Sequence, residues 1–182
     1  MRKFSLIIIF VILISLCLGC TANAISKEQN EEEATEWTAF DELAYDSCKK
    51  LQRMMKDPDS LRLNDVYILY ESGGPSPIEP SYYVIIDGSG TNSYGGRVPA
   101  TIVFIDSKES IDKGEINASY LGDLDEILEK KTEDCTPAEL RVQVMYFLIK
   151  LGGGVGSSLQ ETMGDDYIPI DVEALSKKLE LN

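Results

Sequence analysis

The chain has 182 residues, 31 of them acidic and 17 basic, for a formal net charge of −14 at neutral pH. Nucleic acid is therefore excluded as a natural partner, because holding phosphates requires a basic face. No residue is histidine, which rules out Ser-His-Asp and Cys-His catalysis and every metal site that needs an imidazole.

Arg2 and Lys3 form a short positive segment, followed by Phe4–Leu18, which is uncharged and rich in Ile, Leu, Phe and Val. This order is that of an export signal. The segment Leu16-Cys17-Leu18-Gly19-Cys20 resembles a bacterial lipoprotein processing site, although Cys17 stands where that pattern usually has leucine. The resemblance implies a signal peptide over 1–19 and a lipid on the Cys20 thiol. The domain would then be held on the extracytoplasmic face of a bacterial cell membrane. Two alternatives stay open: ordinary cleavage after Ala22-Asn23-Ala24, and an uncleaved apolar anchor shorter than the roughly 20 residues of a full span. From Cys20 to Thr35 the chain is polar and includes Glu31-Glu32-Glu33. So little apolar surface predicts a linker.

Trp37, Phe40, Ala44, Cys48, Leu51 and Met55 recur every three or four residues. That spacing predicts a helix over 36–56 with Thr35 or Thr38 as its cap, ending before Pro58. Leu61–Glu71, Ser81–Asp87 and Val98–Asp106 are rich in β-branched and aromatic residues and are predicted strands. The loops between them, Ser72–Pro80 and Gly88–Gly96, are too short for helical crossovers, so an antiparallel meander is expected. Pro99 belongs at the start of an edge strand or at a bulge.

The remainder reads as helical. Asp123–Lys131 is a short acidic segment, and Thr136-Pro137-Ala138-Glu139 is a capping box with proline at the first helical position. Leu140, Val144, Phe147, Leu148 and Leu151 form an apolar stripe expected in the core, ending at Gly152. Ser158-Leu159-Gln160-Glu161 is a second capping box. Asp171 can cap a last helix carrying Val172, Leu175 and Leu179. The expected fold is one α+β domain over 36–182: the N-terminal helix on a three-stranded meander, then a helical C-terminal part. Residues 107–182 have the alternative of a separate helical lobe.

Cys48 and Cys135 are the cysteines left once Cys20 is lipidated, and export permits a disulfide between them. It would close a loop of about 88 residues and stabilise by about 2–4 kcal/mol. The alternative is two thiols acting as small hydrophobes. The loop Gly88–Gly96 lacks the Gly-Lys-Ser/Thr ending of a phosphate loop. It reads either as a plain hairpin connection or as a recognition loop with Tyr94 and Asn92 as contacts, Asn92 having the alternative of an Asx-turn.

Met55-Lys56-Asp57-Pro58-Asp59-Ser60, then Tyr83–Asp87 and Asn92-Ser93-Tyr94-Gly95-Gly96, resembles a pattern in small exported bacterial proteins of uncharacterised function. Their helix end reads Leu-Lys-Asp-Pro-x-Ser, and a later strand leads into Asn-x-Phe/Tyr-Gly-Gly. This implies an extracytoplasmic helix-plus-sheet module and brings no catalytic residue.

Ser47-Cys48-Lys49-Lys50 and Ser110-Ile111-Asp112-Lys113 match Ser-x-x-Lys without the companion motifs of penicillin-recognising enzymes. Asp123 with Asp125, Asp165 with Asp166, and Asp106 near Asp112 are carboxylate pairs that suit glycoside hydrolysis or calcium, or simply a solvated acidic face. Gly152–Gly156 reads as a helix stop and connection, and Asn117-Ala118-Ser119 as a formal glycosylation site. No metal or cofactor is expected. The expected function is a non-catalytic, membrane-anchored module binding a protein or envelope component. The alternative is an exported hydrolase using two carboxylates.

Overall fold

In a computed structural model that describes residues 36–73, 79–92, 94–152 and 159–181, Thr38 opens the first helix, α1 (Ala39–Met54). Its Oγ1 accepts the Asp41 amide at 3.2 Å while the Asp41 carboxylate accepts the Thr38 amide at 2.8 Å. This closes a reciprocal cap on two amides that a helix start leaves unpaired. Pro58 starts a 3-10 turn, Pro58–Ser60, that redirects the chain into β1 (Arg62–Glu71). The chain then forms β2 (Ser81–Thr91) and β3 (Arg97–Ser107).

These three strands form the expected antiparallel meander, but each is longer at one end or both than its sequence reading, save β1, which starts one residue later. Pro99 lies opposite Ser89. The outer neighbour of β3 pairs only Ile102–Ile105, so Pro99 falls on a stretch paired on one side only, the edge-like setting in which proline is tolerated.

The C-terminal part is not purely helical. It supplies β4 (Ser119–Asp123) beside β3 and β5 (Tyr167–Pro169) beside β1, completing a five-stranded antiparallel sheet in the order β4-β3-β2-β1-β5. Between and after them come α2 (Lys108–Lys113), α3 (Leu124–Glu129), α4 (Pro137–Gly152), α5 (Leu159–Met163) and α6 (Val172–Lys178). Residues from 37 onward form one compact unit. A separate lobe for 107–182 is thereby corrected, because strand pairing binds both ends of that segment to the meander. Ser107 caps α2 by accepting the Ser110 amide, and Gly114 ends it at φ 71°, a conformation glycine adopts without steric cost.

Both faces of the sheet are covered. Val66, Ile68, Tyr82, Val84, Ile86 and Phe104 pack with Leu43, Ala44 and Cys48 of α1, Ile111 of α2 and Leu175 of α6. The alternate residues Leu69, Tyr83, Ile85 and Val103 pack with Leu124 and Ile127 of α3 and with Val142 and Met145 of α4. Every residue of Ser81–Ile86 is accordingly buried, as a central strand between two helical layers requires.

α4 departs most from the sequence reading. Val142 and Met145 face the sheet, while Val144, Phe147, Leu148 and Leu151 are 48%, 60%, 57% and 67% exposed. At about 100° per residue these two sets lie on opposite sides of the helix. The helix is apolar on both sides, and the stripe expected in the core is the outer one.

Candidate functional site

The end of the sheet where β2 turns into β3 gathers the unusual sequence features. Ser60, buried at the close of the 3-10 turn, donates its hydroxyl to the Asp57 carbonyl at 2.7 Å. The same oxygen accepts the Thr91 amide at 2.9 Å. The helix-end motif and the strand leading into Asn92 are therefore physically joined. Met55 packs against Gly90 so closely that a Cβ there would lie 2.2 Å from its Cε. At Gly88 a Cβ would meet the Arg62 carbonyl oxygen at 2.6 Å, next to the register shift between Leu63 and Asp65. Glycine at 88 thus permits a close backbone approach.

A cleft of about 290 Å³ opens between the end of α1 and this part of the sheet. Leu51, Met55, Leu61, Ile86, Val98 and Ile102 make it apolar, and Lys56, Ser89, Thr91 and Asn92 supply its polar groups. This combination of apolar walls and few polar groups is what small-ligand and side-chain pockets share. A groove of about 410 Å³ beside Pro80 is lined mainly by the charged residues Lys108, Glu109, Asp112 and Lys113.

Above the cleft the hairpin is shorter than the loop 88–96 read from sequence, since β2 runs to Thr91 and β3 begins at Arg97. Asn92 closes it. Its Oδ1 accepts the Tyr94 amide at 2.9 Å and the Gly96 amide at 3.0 Å. Its own amide donates to the Gly96 carbonyl at 2.8 Å. Gly95, at φ 79°, makes the reversal. Asn92 thus takes the Asx-turn alternative while also lining the cleft. Tyr94 is 97% exposed, so a rigidly closed turn presents an aromatic ring to solvent.

Cys48 and Cys135 are free. The expected disulfide is not formed in this structure, and the topology weighs against it. Cys48 sits on α1 in the core of one face, and Cys135 directly precedes α4, which packs on the other. A disulfide needs Cα atoms about 4.4–6.8 Å apart, and the sheet lies between these helices. Burial pushes the Cys48 thiol up to about 12, the opposite of an activated nucleophile. Cys20 lies outside the described residues, as do Ser158 and the glycines Gly153, Gly154 and Gly156.

The carboxylate pairs have local duties. Asp123 caps α3 by accepting the Asp125 and Glu126 amides. Asp106 accepts the Ser107 amide through one oxygen and the Asn117 amide through the other, both at 2.8 Å, while Asp112 pairs with Lys108 on the surface. Asp165 and Asp166 are exposed in a 3-10 turn. Asn117 is held by Lys50, whose Nζ donates to its Oδ1 at 2.8 Å. Glu109 and Glu139 are held below the usual carboxylate range by hydrogen bonds from Lys113 and Lys130 respectively. A hydrolase acid needs the reverse shift. In the two Ser-x-x-Lys matches, Ser47 donates to the Leu43 carbonyl and Ser110 to the Glu115 carbonyl, so each hydroxyl serves the backbone. Among the described residues no group of three or more His, Cys, Asp and Glu could hold a metal ion. No helix there is long and apolar enough to cross a membrane.

In the sequence Ser60 stands only within the helix-end motif, and Met55 within that motif and the apolar helix stripe. No spacing in the sequence points Ser60 at Thr91, because the bond depends on how Pro58 turns the chain. Comparison with family models, curated proteins and solved structures finds no match.

Proposed function

We propose that the chain is a non-catalytic binding module, tethered by a lipid on Cys20 to the extracytoplasmic face of a bacterial membrane. It recognises a protein or envelope component through the β2–β3 hairpin and the cleft beneath it. The carrying observation is Tyr94, 97% exposed on a turn fixed by two hydrogen bonds to Asn92 Oδ1. A large ring with two side-chain torsions, already positioned, loses little entropy on contact and is the kind of residue that anchors interfaces. The hydrolase alternative is weakened because its paired carboxylates cap helices, hold backbone amides or stand on the surface.

The tether and the recognition surface are tested separately. Metabolic labelling with a fatty-acid analogue labels the wild type and not Cys20→Ala; label retained by that variant rejects the tether. For recognition, a photo-crosslinking residue at position 94 captures a defined partner in host cells, and the same residue at exposed Glu109 does not. Tyr94→Ala then weakens binding of the purified partner by about tenfold or more, with stability changed by less than about 0.5 kcal/mol, as for an exposed site. Equal capture from both positions, or unchanged affinity, rejects the hairpin as the contact.

A further inference from the structure

We propose that the outer ridge of α4 is the surface through which two copies of this chain pair, helix against helix about a two-fold axis. Val144, Phe147, Leu148 and Leu151 are all close to half exposed or more and occupy two turns at the alternating spacings of three and four that let helices interlock. Together they offer roughly 400 Å² of contiguous apolar surface, the size at which a patch on a soluble protein carries a function.

Self-pairing is favoured by three features. First, the ridge lies beside a groove of about 390 Å³ whose apolar walls include Leu128, Leu140, Val144 and Phe147. The recess shares the ridge's apolar walls and adds Lys130, Gln143 and Lys150, and a protrusion beside a recess is what an isologous contact needs, since each copy must supply both. An axis between Phe147 and Leu148 sets Phe147 against Leu148 and Val144 against Leu151, apolar on apolar throughout.

Second, there is no acidic residue between Glu139 and Glu161, although the chain has 31 acids. Arg141 is ion-paired with Glu71, and Lys130 with Glu139. The ridge of α4 therefore brings no carboxylate of its own against the partner's ridge, which suits two copies of net charge −14.

Third, the area suffices for a weak dimer. Two ridges remove roughly 800 Å² from water, and the groove walls bring the contact towards the low end of specific interfaces, about 1,200 Å². A lipid surface is the poorer occupant. Interfacial helices carry a lysine- and arginine-rich face opposite the apolar one, whereas the face of α4 opposite the ridge is packed on the sheet.

The test uses the full chain in host membranes, with Cys135→Ser to remove the accessible native thiol. A short bis-maleimide should convert Leu148→Cys to a covalent dimer, and Leu151→Cys likewise, while Glu109→Cys on α2 stays monomeric. Adding Phe147→Asp should cut the dimer fraction by about tenfold, since a charge is then buried at the interface centre, with the melting transition retained because the site is exposed. Absence of dimer from both ridge positions, equal dimer from Glu109→Cys, or dimer surviving Phe147→Asp overturns the proposal. A fluorophore at position 148 quenched by brominated lipid in monomeric protein also overturns it and assigns the ridge to the bilayer. None of these outcomes depends on Tyr94, so this inference and the recognition reading fail independently.

Discussion

Ser60 Oγ accepts the Thr91 amide at 2.9 Å while donating to the Asp57 carbonyl at 2.7 Å, so one hydroxyl joins the turn after α1 to the last residue of β2. The hairpin that carries Tyr94 is thereby tied to the helix that roofs the cleft. Ser60→Ala removes the acceptor and leaves the Thr91 amide, on a half-buried residue, without its partner. The expected cost is about 1–3 kcal/mol, read as a lower midpoint in urea with unchanged slope. A change below about 0.5 kcal/mol would mean that water replaces the serine and that the link is incidental.

Where local chemistry decides an element, the sequence shows it. The boxes at Thr38 and Thr136, the cap at Asp171 and the three long strands all appear where their residues call for them. β4 and β5 do not, for a physical reason. Ser119–Asp123 contains Gly122, and Tyr167–Pro169 is three residues long with a proline, so neither offers an uninterrupted run long enough to read as a strand by itself. Each exists because the meander offers an unpaired edge, which is a long-range effect. Tyr82-Tyr83-Val84-Ile85-Ile86 is continuously apolar, and a strand with one wet face alternates, so the run implied helices on both sides of the sheet. That arrangement separates Cys48 from Cys135. On α4 the periodicity was ambiguous because two apolar stripes share the helix, and only packing selects Val142 and Met145. In the candidate site, Tyr94 and the Asx-turn alternative for Asn92 were legible from residue type, whereas Ser60 required the fold.

Glu139 makes a pH prediction with a defined sign. The buried carboxylate accepts from Lys130 Nζ and from the Thr136 amide and hydroxyl, and these bonds hold its pKa low, the Lys130 bond contributing most. A group whose folded pKa lies below its unfolded value of about 4.3 stabilises fully above that value and loses its contribution as pH falls through the folded one. Glu139→Gln keeps the shape but removes the charge. Urea midpoints of wild type and variant should therefore differ at neutral pH and converge as pH falls below the unfolded value and through the lowered folded one. Curves that stay parallel throughout the acid range would show that the Lys130 pair does not contribute.

The two thiols are distinguished by their burial. Cys48 is fully buried among Leu43, Ala44 and the sheet residues, whereas Cys135 is partly exposed and its Sγ donates to the Lys131 carbonyl at 3.4 Å. Maleimide at neutral pH should label Cys135 in the folded protein and reach Cys48 only after unfolding. Burial raises the Cys48 pKa to about 12, above its unfolded value of about 8.5. The folded state therefore keeps a proton that the unfolded state releases, and stability falls with rising pH by up to about 1.4 kcal/mol per unit across that interval. Tyrosine and lysine titrate there too, so the informative quantity is the difference from Cys48→Ala, which lacks the thiol and should lose this part of the alkaline slope. Equal slopes, or a Cys48–Cys135 peptide recovered from non-reduced protein, would contradict burial of Cys48 on the face away from α4.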